Sequence, residues 1–132
     1  MTVNADRLRV YKRRKNELAR LQERITGLQE AAEGLTQSLS LAPAHGAEKE
    51  RLSGQIAEIV DLQARCGERR IWLEKETEAI DELIGNLPEQ QAKIVQYRYV
   101  DGMPWKKVAK ASGYSLHHCY KIHDAALKNI DT

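Results

Sequence analysis

The sequence predicts an all-α protein: a long antiparallel helical hairpin, coiled-coil-like in character, followed by a small domain of three helices. A heptad-type repeat of aliphatic residues through residues 1–86 predicts the hairpin. Composition agrees, because aromatics are only 5% of the 132 residues and Phe is absent, so a core must be mainly aliphatic. Most of the aromatic residues fall between 97 and 120, which indicates a separate domain there.

The predicted hairpin consists of two amphipathic segments. An apolar stripe at spacings of three, four and seven runs through residues 4–41 and resumes through 48–87. Its members are Tyr11, Leu18, Leu21, Ile25, Leu28, Ala32, Leu35 and Leu39, then Leu52, Ile56, Ile59, Leu62, Cys66, Leu73, Ile80, Leu83 and Leu87. Two segments of this length joined by a short turn favour antiparallel pairing. The stripe leaves open whether they pair only within one chain or also with a second one.

A turn is predicted near residues 40–47, where Pro43 and Gly46 break the stripe. Arg14 occupies an inward stripe position, which a buried interface accommodates poorly. We therefore expect the first two helical turns to be frayed or to lie at a rim.

Charge is unevenly distributed along the chain, although the formal net charge is only +2. Residues 1–32 carry eight Lys/Arg against four Asp/Glu, residues 33–87 six against eleven, and residues 88–132 seven against four. Basic segments therefore flank an acidic one, and each basic segment could meet a polyanion.

Cellular location is predicted from the cysteines and from hydropathy. Cys66 and Cys119 have no metal-ligand spacing, which favours a reducing compartment. Because no apolar run approaches the roughly 18 residues needed to span a bilayer, we expect no membrane partner. The prediction is a cytoplasmic protein.

The second predicted domain, residues 87–132, has three helices. The first runs from about Pro88 to Val100, and the second begins near Pro104 and is about two turns long. The third is capped by Ser115 and runs to about Ile130. Gly102 and Gly113 are placed to end the first two, since glycine tolerates the left-handed conformation of a C-cap.

The spacing of the last two helices is that of a helix-turn-helix. This motif needs a small residue where the helices cross, a glycine four residues later, and apolar residues where the second helix packs back. The predicted motif core is Trp105, Val108, Ala109, Gly113, Cys119 and Ile122.

Packing Cys119 and Ile122 inward leaves a polar outer face on the third helix, whose N-terminal part enters the major groove in this motif. Lysines on the preceding helix would face the phosphates. The predicted DNA-binding residues are Lys106, Lys107, Lys110, Ser115, Leu116, His117, His118, Tyr120 and Lys121.

Residues 87–130 resemble, without a gap, the region 4 domain of bacterial sigma-70-class factors. The matching positions are the Leu-Pro-Glu opening, Arg98, Tyr99, Asp101, Gly102, Val108, Ala109, Gly113, Ser115, Ala126 and Leu127. The whole chain is similar to small phage regulators of the ArpU type, in which a long helical N-terminal half precedes a sigma-like helix-turn-helix. These resemblances imply a transcriptional regulator that binds double-stranded DNA, with RNA polymerase as a possible partner.

Two departures from the sigma pattern change what the resemblance implies. In sigma region 4, Arg, Glu and Gln side chains at the start of this helix read the promoter bases. The corresponding positions here are Leu116, His117, His118, Tyr120 and Lys121. None of them is Arg, Glu or Gln, so the target should differ from an ordinary promoter element. Residues 1–87 hold only two aromatics, Tyr11 and Trp72, too few for the DNA-melting region of a sigma factor. We therefore expect no transcription initiation by this chain alone.

The sequence supports other functions less well than it supports regulation. No catalytic motif is present, so we predict a non-enzyme without a cofactor, and the histidines near Cys119 do not form a metal-ligand set. A DNA-packaging subunit resembling a phage small terminase remains an alternative, as does a protein-interaction module that does not bind DNA. The hairpin is expected to form a homodimer or another homo-oligomer, or to contact polymerase.

Overall fold

A computed structural model describes residues 3–41 and 46–131 of the chain, and within these residues every regular element is helical. The helices are α1 (Val3–Leu41), α2 (Gly46–Gly85), α3 (Glu89–Val95), α4 (Trp105–Ser112) and α5 (Leu116–Ile130), with a π-helical turn at Gln96–Val100 directly after α3. The all-α prediction is confirmed. Most of the turn predicted near 40–47 lies outside the described residues, and no described helix is long and apolar enough to cross a membrane.

The chain divides into two compact units. The first comprises Met1–Asn16 and Trp72–Thr132, and the second comprises Glu17–Ile71. The three C-terminal helices thus share a unit with the beginning of α1 and the end of α2. The boundary predicted at 86/87 from composition stays a prediction.

The second unit is an antiparallel pair of helical segments around an aliphatic core. Ile25, Leu62 and Cys66 are buried there. Partly buried Leu18, Leu21, Leu28 and Ile59 pack against them. Most of these residues follow the predicted stripe. Burying their apolar surface stabilises the folded state by about 25 cal/mol per Å².

Ion pairs flank this core and fix the direction of pairing. Glu17 accepts from Arg69 at 2.8 Å, and Arg24 pairs with Glu58. The later residue of α1 pairs with the earlier residue of α2, as expected for antiparallel helices. Both pairs are partly exposed, so each contributes at most about 1 kcal/mol.

The predicted inward position is wrong for one residue of the stripe, Ile56. Ile56 is 50% exposed, whereas its neighbour Gln55 is half-buried. Inward positions of α2 alternate by three and four residues, through 52, 55, 59, 62 and 66, so position 56 lies about 100° around the helix from the inner face. Val60 and Ile71 are exposed as well.

The first turns of α1 are buried, not frayed, which corrects the expectation from Arg14. Leu8 is 0% exposed, and Ala5 and Tyr11 are also buried. Arg14 is accommodated because its guanidinium lies 4.4 Å from the Trp72 ring centre, where cation–π attraction and an exposed edge replace apolar contact.

A carboxylate from the far end of the sequence caps the N-terminus of α1. Asp131 Oδ1 accepts hydrogen bonds from the backbone N–H groups of Asn4 at 2.9 Å and Ala5 at 3.2 Å, and the Asn4 side chain donates to the Ile130 carbonyl at 2.8 Å. Since these N–H groups have no partner within the helix, an anion there satisfies them and opposes the helix dipole. Nothing local in the sequence indicates this pairing.

The first helix of the C-terminal domain was predicted to run unbroken to Val100, and here the structure differs. Its α-helical part ends at Val95, and the chain widens into the π-helical turn, closed by the Asp101 N–H donating to the Gln96 carbonyl at 2.9 Å. Gly102 follows with φ of +68°, as expected of a helix stop. Short π-helical turns are frequent at functional sites.

Replacing Leu8 by Ala tests the role of the α1 N-terminus. Leu8→Ala should lower the free energy of unfolding by about 2–5 kcal/mol, because it leaves a cavity in a fully buried site. Urea denaturation followed by circular dichroism measures it. Val3→Ala, on an exposed position of the same helix, should change stability by less than about 0.5 kcal/mol, and equal effects of the two variants would contradict burial of α1.

Candidate nucleic-acid interface

The turn between α4 and α5 has the backbone geometry that a helix-turn-helix requires. Gly113 takes φ of +79° and ψ of 5°, the left-handed C-cap of α4, and its N–H donates to the Ala109 carbonyl at 3.0 Å. Ser115 then caps α5, its Oγ accepting from the His118 N–H at 3.1 Å. Both turn residues therefore act as the spacing predicted.

The helices cross around a small apolar core. Val108 and Cys119 are fully buried, with Ile122 and Ile94 of α3 completing the cluster. Trp105 and Ala109 are partly buried and pack against it. The structure thus brings together all the apolar residues of the predicted motif core.

The predicted DNA-binding residues lie at the surface. Leu116 and Tyr120 are 38% and 40% exposed, high values for apolar side chains. We call Leu116, His117, His118, Tyr120 and Lys121 the recognition face of α5; all five are exposed, as are Ser115 and the α4 residues Lys106, Lys107 and Lys110. Their role in binding stays a prediction.

Ring contacts hold parts of the recognition face in place. Tyr120 meets Trp105 edge-on at 4.9 Å between ring centres, and His118 meets Tyr114 at 5.0 Å. Such edge-to-face pairs contribute about 0.5–1.5 kcal/mol beyond burial. Tyr120 is therefore positioned by the core tryptophan at the edge of the face.

A second aromatic cluster adjoins the recognition face, and of its members only Trp105 was among the predicted site residues. His123 of α5 stacks on Tyr99 at 5.6 Å, and its Nε2 shares a hydrogen bond of 2.7 Å with the Tyr99 hydroxyl. Trp105 meets His123 edge-on at 4.9 Å, and the Arg98 guanidinium lies 4.7 Å from the Trp105 ring centre. The π-helical turn supplies both Arg98 and Tyr99.

Burial sets the protonation of this cluster. Desolvation lowers the pKa of His123 below its usual value, although Asp124 beside it acts in the opposite direction, and desolvation likewise raises the pKa of Tyr99. Near neutral pH both groups are uncharged, and the pair is held by a neutral hydrogen bond. The described residues hold no group of three or more His, Cys, Asp or Glu placed to bind a metal ion.

Comparison with known proteins agrees with this geometry. A family model described as Sigma-70, region 4 matches residues 77–117. The match covers the end of α2, then α3, the π-helical turn, α4 and the first two residues of α5. It supports a helix-turn-helix similar to that region.

The rest of the chain is not covered by this match. No curated protein and no solved structure matches the sequence. The resemblance to ArpU-type phage regulators therefore stays a prediction, and so does the part of the region 4 resemblance beyond His117.

The turn geometry predicts opposite effects for two glycine substitutions. Gly113→Ala should destabilise by about 1–2 kcal/mol, because an L-residue is strained at φ of +79°. Gly54→Ala, within α2, should stabilise by about 0.5–1 kcal/mol. At neither position would the added methyl group meet another atom within 4 Å, so the difference is conformational. Thermal unfolding measures both, and a shift of the same sign would contradict the left-handed turn.

Stability should fall as the solution is acidified from about pH 7.5 to 5.5. His123 has a lowered pKa when folded, so its contribution is complete above the unfolded value of about 6.5 and is lost as pH falls through the folded value. The melting temperature of His123→Gln should therefore depend less on pH than that of the wild type. His117→Gln, at an exposed position of α5, is the control. Parallel profiles for wild type and His123→Gln would contradict this assignment.

Proposed function

We propose that this protein is a DNA-binding transcriptional regulator of phage or prophage origin that uses its helix-turn-helix to read duplex DNA. The observation that carries the proposal is the exposed recognition face on a capped α5, crossing α4 through a left-handed turn at Gly113. The match to sigma-70 region 4 over residues 77–117 supports it.

In the proposed mechanism the N-terminal part of α5 enters the major groove. The Ser115 oxygen accepts the capping hydrogen bond while its O–H is left to donate, so base or phosphate contacts come from Ser115 and the side chains that follow it. His117, His118 and Lys121 offer hydrogen-bonding groups, while Leu116 and Tyr120 offer apolar contact of the kind that recognises a thymine methyl group. This chemistry differs from arginine or glutamine readout, which supports a target unlike an ordinary promoter element.

Lysines of α4 supply the sequence-independent part of binding. Lys106, Lys107 and Lys110 are exposed on the helix that precedes the turn, where phosphate contacts fix the register of this motif on DNA. Each contact to a phosphate releases counterions, so affinity should fall steeply with salt. The proposal includes no catalytic step and no cofactor.

The helices of the second unit are proposed to mediate self-association or polymerase contact. Ile56, Val60 and Ile71 are 50–59% exposed on α2 and lie on one side of it, away from the buried Leu62 and Cys66. A homodimer formed through such a surface would present two α5 helices to a two-fold symmetric operator.

The double variant Lys106→Ala with Lys107→Ala tests the proposed DNA face. Binding to a fluorescein-labelled mixed-sequence duplex of about 40 base pairs should weaken at all salt concentrations, and the slope of log K against log salt should become less steep by about two. Fluorescence anisotropy between about 50 and 200 mM salt gives both quantities.

The matched control is Lys49→Ala with Arg51→Ala, exposed positions of the second unit that remove the same charge. It should bind as wild type does. Absence of any wild-type binding at 50 mM salt would reject the DNA-binding function in favour of a protein-interaction module. Light-scattering mass on the same preparation separates regulation, expected from a monomer or dimer, from packaging by a terminase-like ring.

A further inference from the structure

The first unit contains a concave pocket in which residues of α1 meet residues of the C-terminal helices. Its volume is about 370 Å³, and it is bounded by α1, the π-helical turn, α4 and α5. Four cationic side chains line it, and we call it the cationic pocket: Arg9, Lys12, Arg13 and Arg98. Tyr99, Trp105 and His123 form its aromatic side.

The charge of the cationic pocket is unbalanced. None of the residues that line it is Asp or Glu, although two carboxylates adjoin it: Asp6 pairs with Arg9 at 2.9 Å, and Asp124 Oδ1 lies 3.4 Å from Nδ1 of His123. Arg98 donates to the Met103 carbonyl at 3.1 Å, which carries no full charge. Gathering cations in a concavity costs electrostatic energy, and a bound anion would offset that cost.

Lys12 and Arg98 both line the cationic pocket. Burial first, and the positive charge of Arg98 second, lower the pKa of Lys12 from its usual value. An anion bound in the pocket would act in the opposite direction.

The aromatic side of the cationic pocket is continuous with the recognition face. Trp105 contacts His123 inside the pocket and Tyr120 on the face, each at 4.9 Å between ring centres. His123 lies one helical turn after Tyr120 on α5. The cationic pocket and the recognition face therefore adjoin one another on the first unit.

The α1 side of the pocket is fixed in place relative to the helix-turn-helix. Asp131 caps the beginning of α1, and Lys15 Nζ donates to the Val100 carbonyl at 2.6 Å, so α1 is held at both sides of Lys12. Lys12 and Arg13 are thus presented on a rigid element, which lowers the entropy lost on binding.

We propose that the cationic pocket binds a phosphate of the DNA backbone flanking the groove that α5 enters, so that α1 is part of the DNA-binding surface. This inference rests on the proposed function and extends it. Lys12 and Arg13 contact the phosphate oxygens, Arg98 adds a guanidinium held against Trp105, and the aromatic side packs against the adjoining sugar. Free phosphate or a nucleotide offers the same chemistry, and the experiment separates these sources.

The test is the double variant Lys12→Ala with Arg13→Ala in the full chain, measured on the same mixed-sequence duplex. The expected result is a loss of affinity of about tenfold at 100 mM salt and a salt slope less steep by about two. The control Lys49→Ala with Arg51→Ala removes one Lys and one Arg from the second unit and should retain wild-type values.

A charge-preserving variant separates binding from structure. Lys12→Arg with Arg13→Lys keeps both charges and should restore the salt slope, whereas loss of packing would not be rescued in this way. Arg13→Glu alone, at an exposed position, removes the same two units of positive charge as the double variant and should weaken binding to a similar extent.

Three results would overturn the inference. Wild-type affinity and slope in the Lys12/Arg13 double variant, with Lys106→Ala plus Lys107→Ala still impaired, would reject the pocket while leaving the proposed function intact. An unrescued loss in the charge-preserving variant would assign the pair a structural role. Calorimetric binding of ATP or inorganic phosphate that the Lys12/Arg13 double variant abolishes, with duplex affinity unchanged, would identify a free phosphate as the occupant.

Discussion

Burial of the first turns of α1 is the constraint on which the first unit depends. Leu8 is wholly removed from solvent, and Asp131, more than 120 residues away in the sequence, accepts from two N–H groups at the start of the same helix. This packing places Arg9, Lys12 and Arg13 around the cationic pocket.

The aromatic contacts connect this scaffold to the surface that we propose reads DNA. Tyr99 is brought to His123 by the π-helical turn, whose extra residue per turn rotates the side chains relative to a regular helix. Trp105 then contacts both His123 and Tyr120. A neutral His123 keeps the Tyr99 hydrogen bond without adding another cation to a pocket that already holds four. Burial therefore favours the neutral imidazole of His123, against the opposing effect of Asp124.

Local signals in the sequence predicted the motif well, since each depends on a few neighbouring residues. Gly113 ends α4, Ser115 caps α5, and Val108, Cys119 and Ile122 are buried because spacing alone decides these features. Long-range packing was not predictable in the same way. Arg14 at an inward position indicated frayed first turns, but its guanidinium packs over the Trp72 ring. No local pattern predicts the hydrogen bond between Asn4 and Asp131. Ile56 was misplaced because the inward position there belongs to Gln55, a polar residue that an apolar pattern does not mark.

The two compact units differ in net charge. The first unit carries fourteen Lys/Arg against ten Asp/Glu and the second seven against nine, so the net charge of +2 separates into +4 and −2. The two basic segments of the sequence belong, in large part, to one folded unit. A polyanion is attracted to the first unit and repelled by the second. The recognition face and the cationic pocket both lie on the positively charged unit, so the surface that we propose binds DNA belongs to the unit that attracts a polyanion.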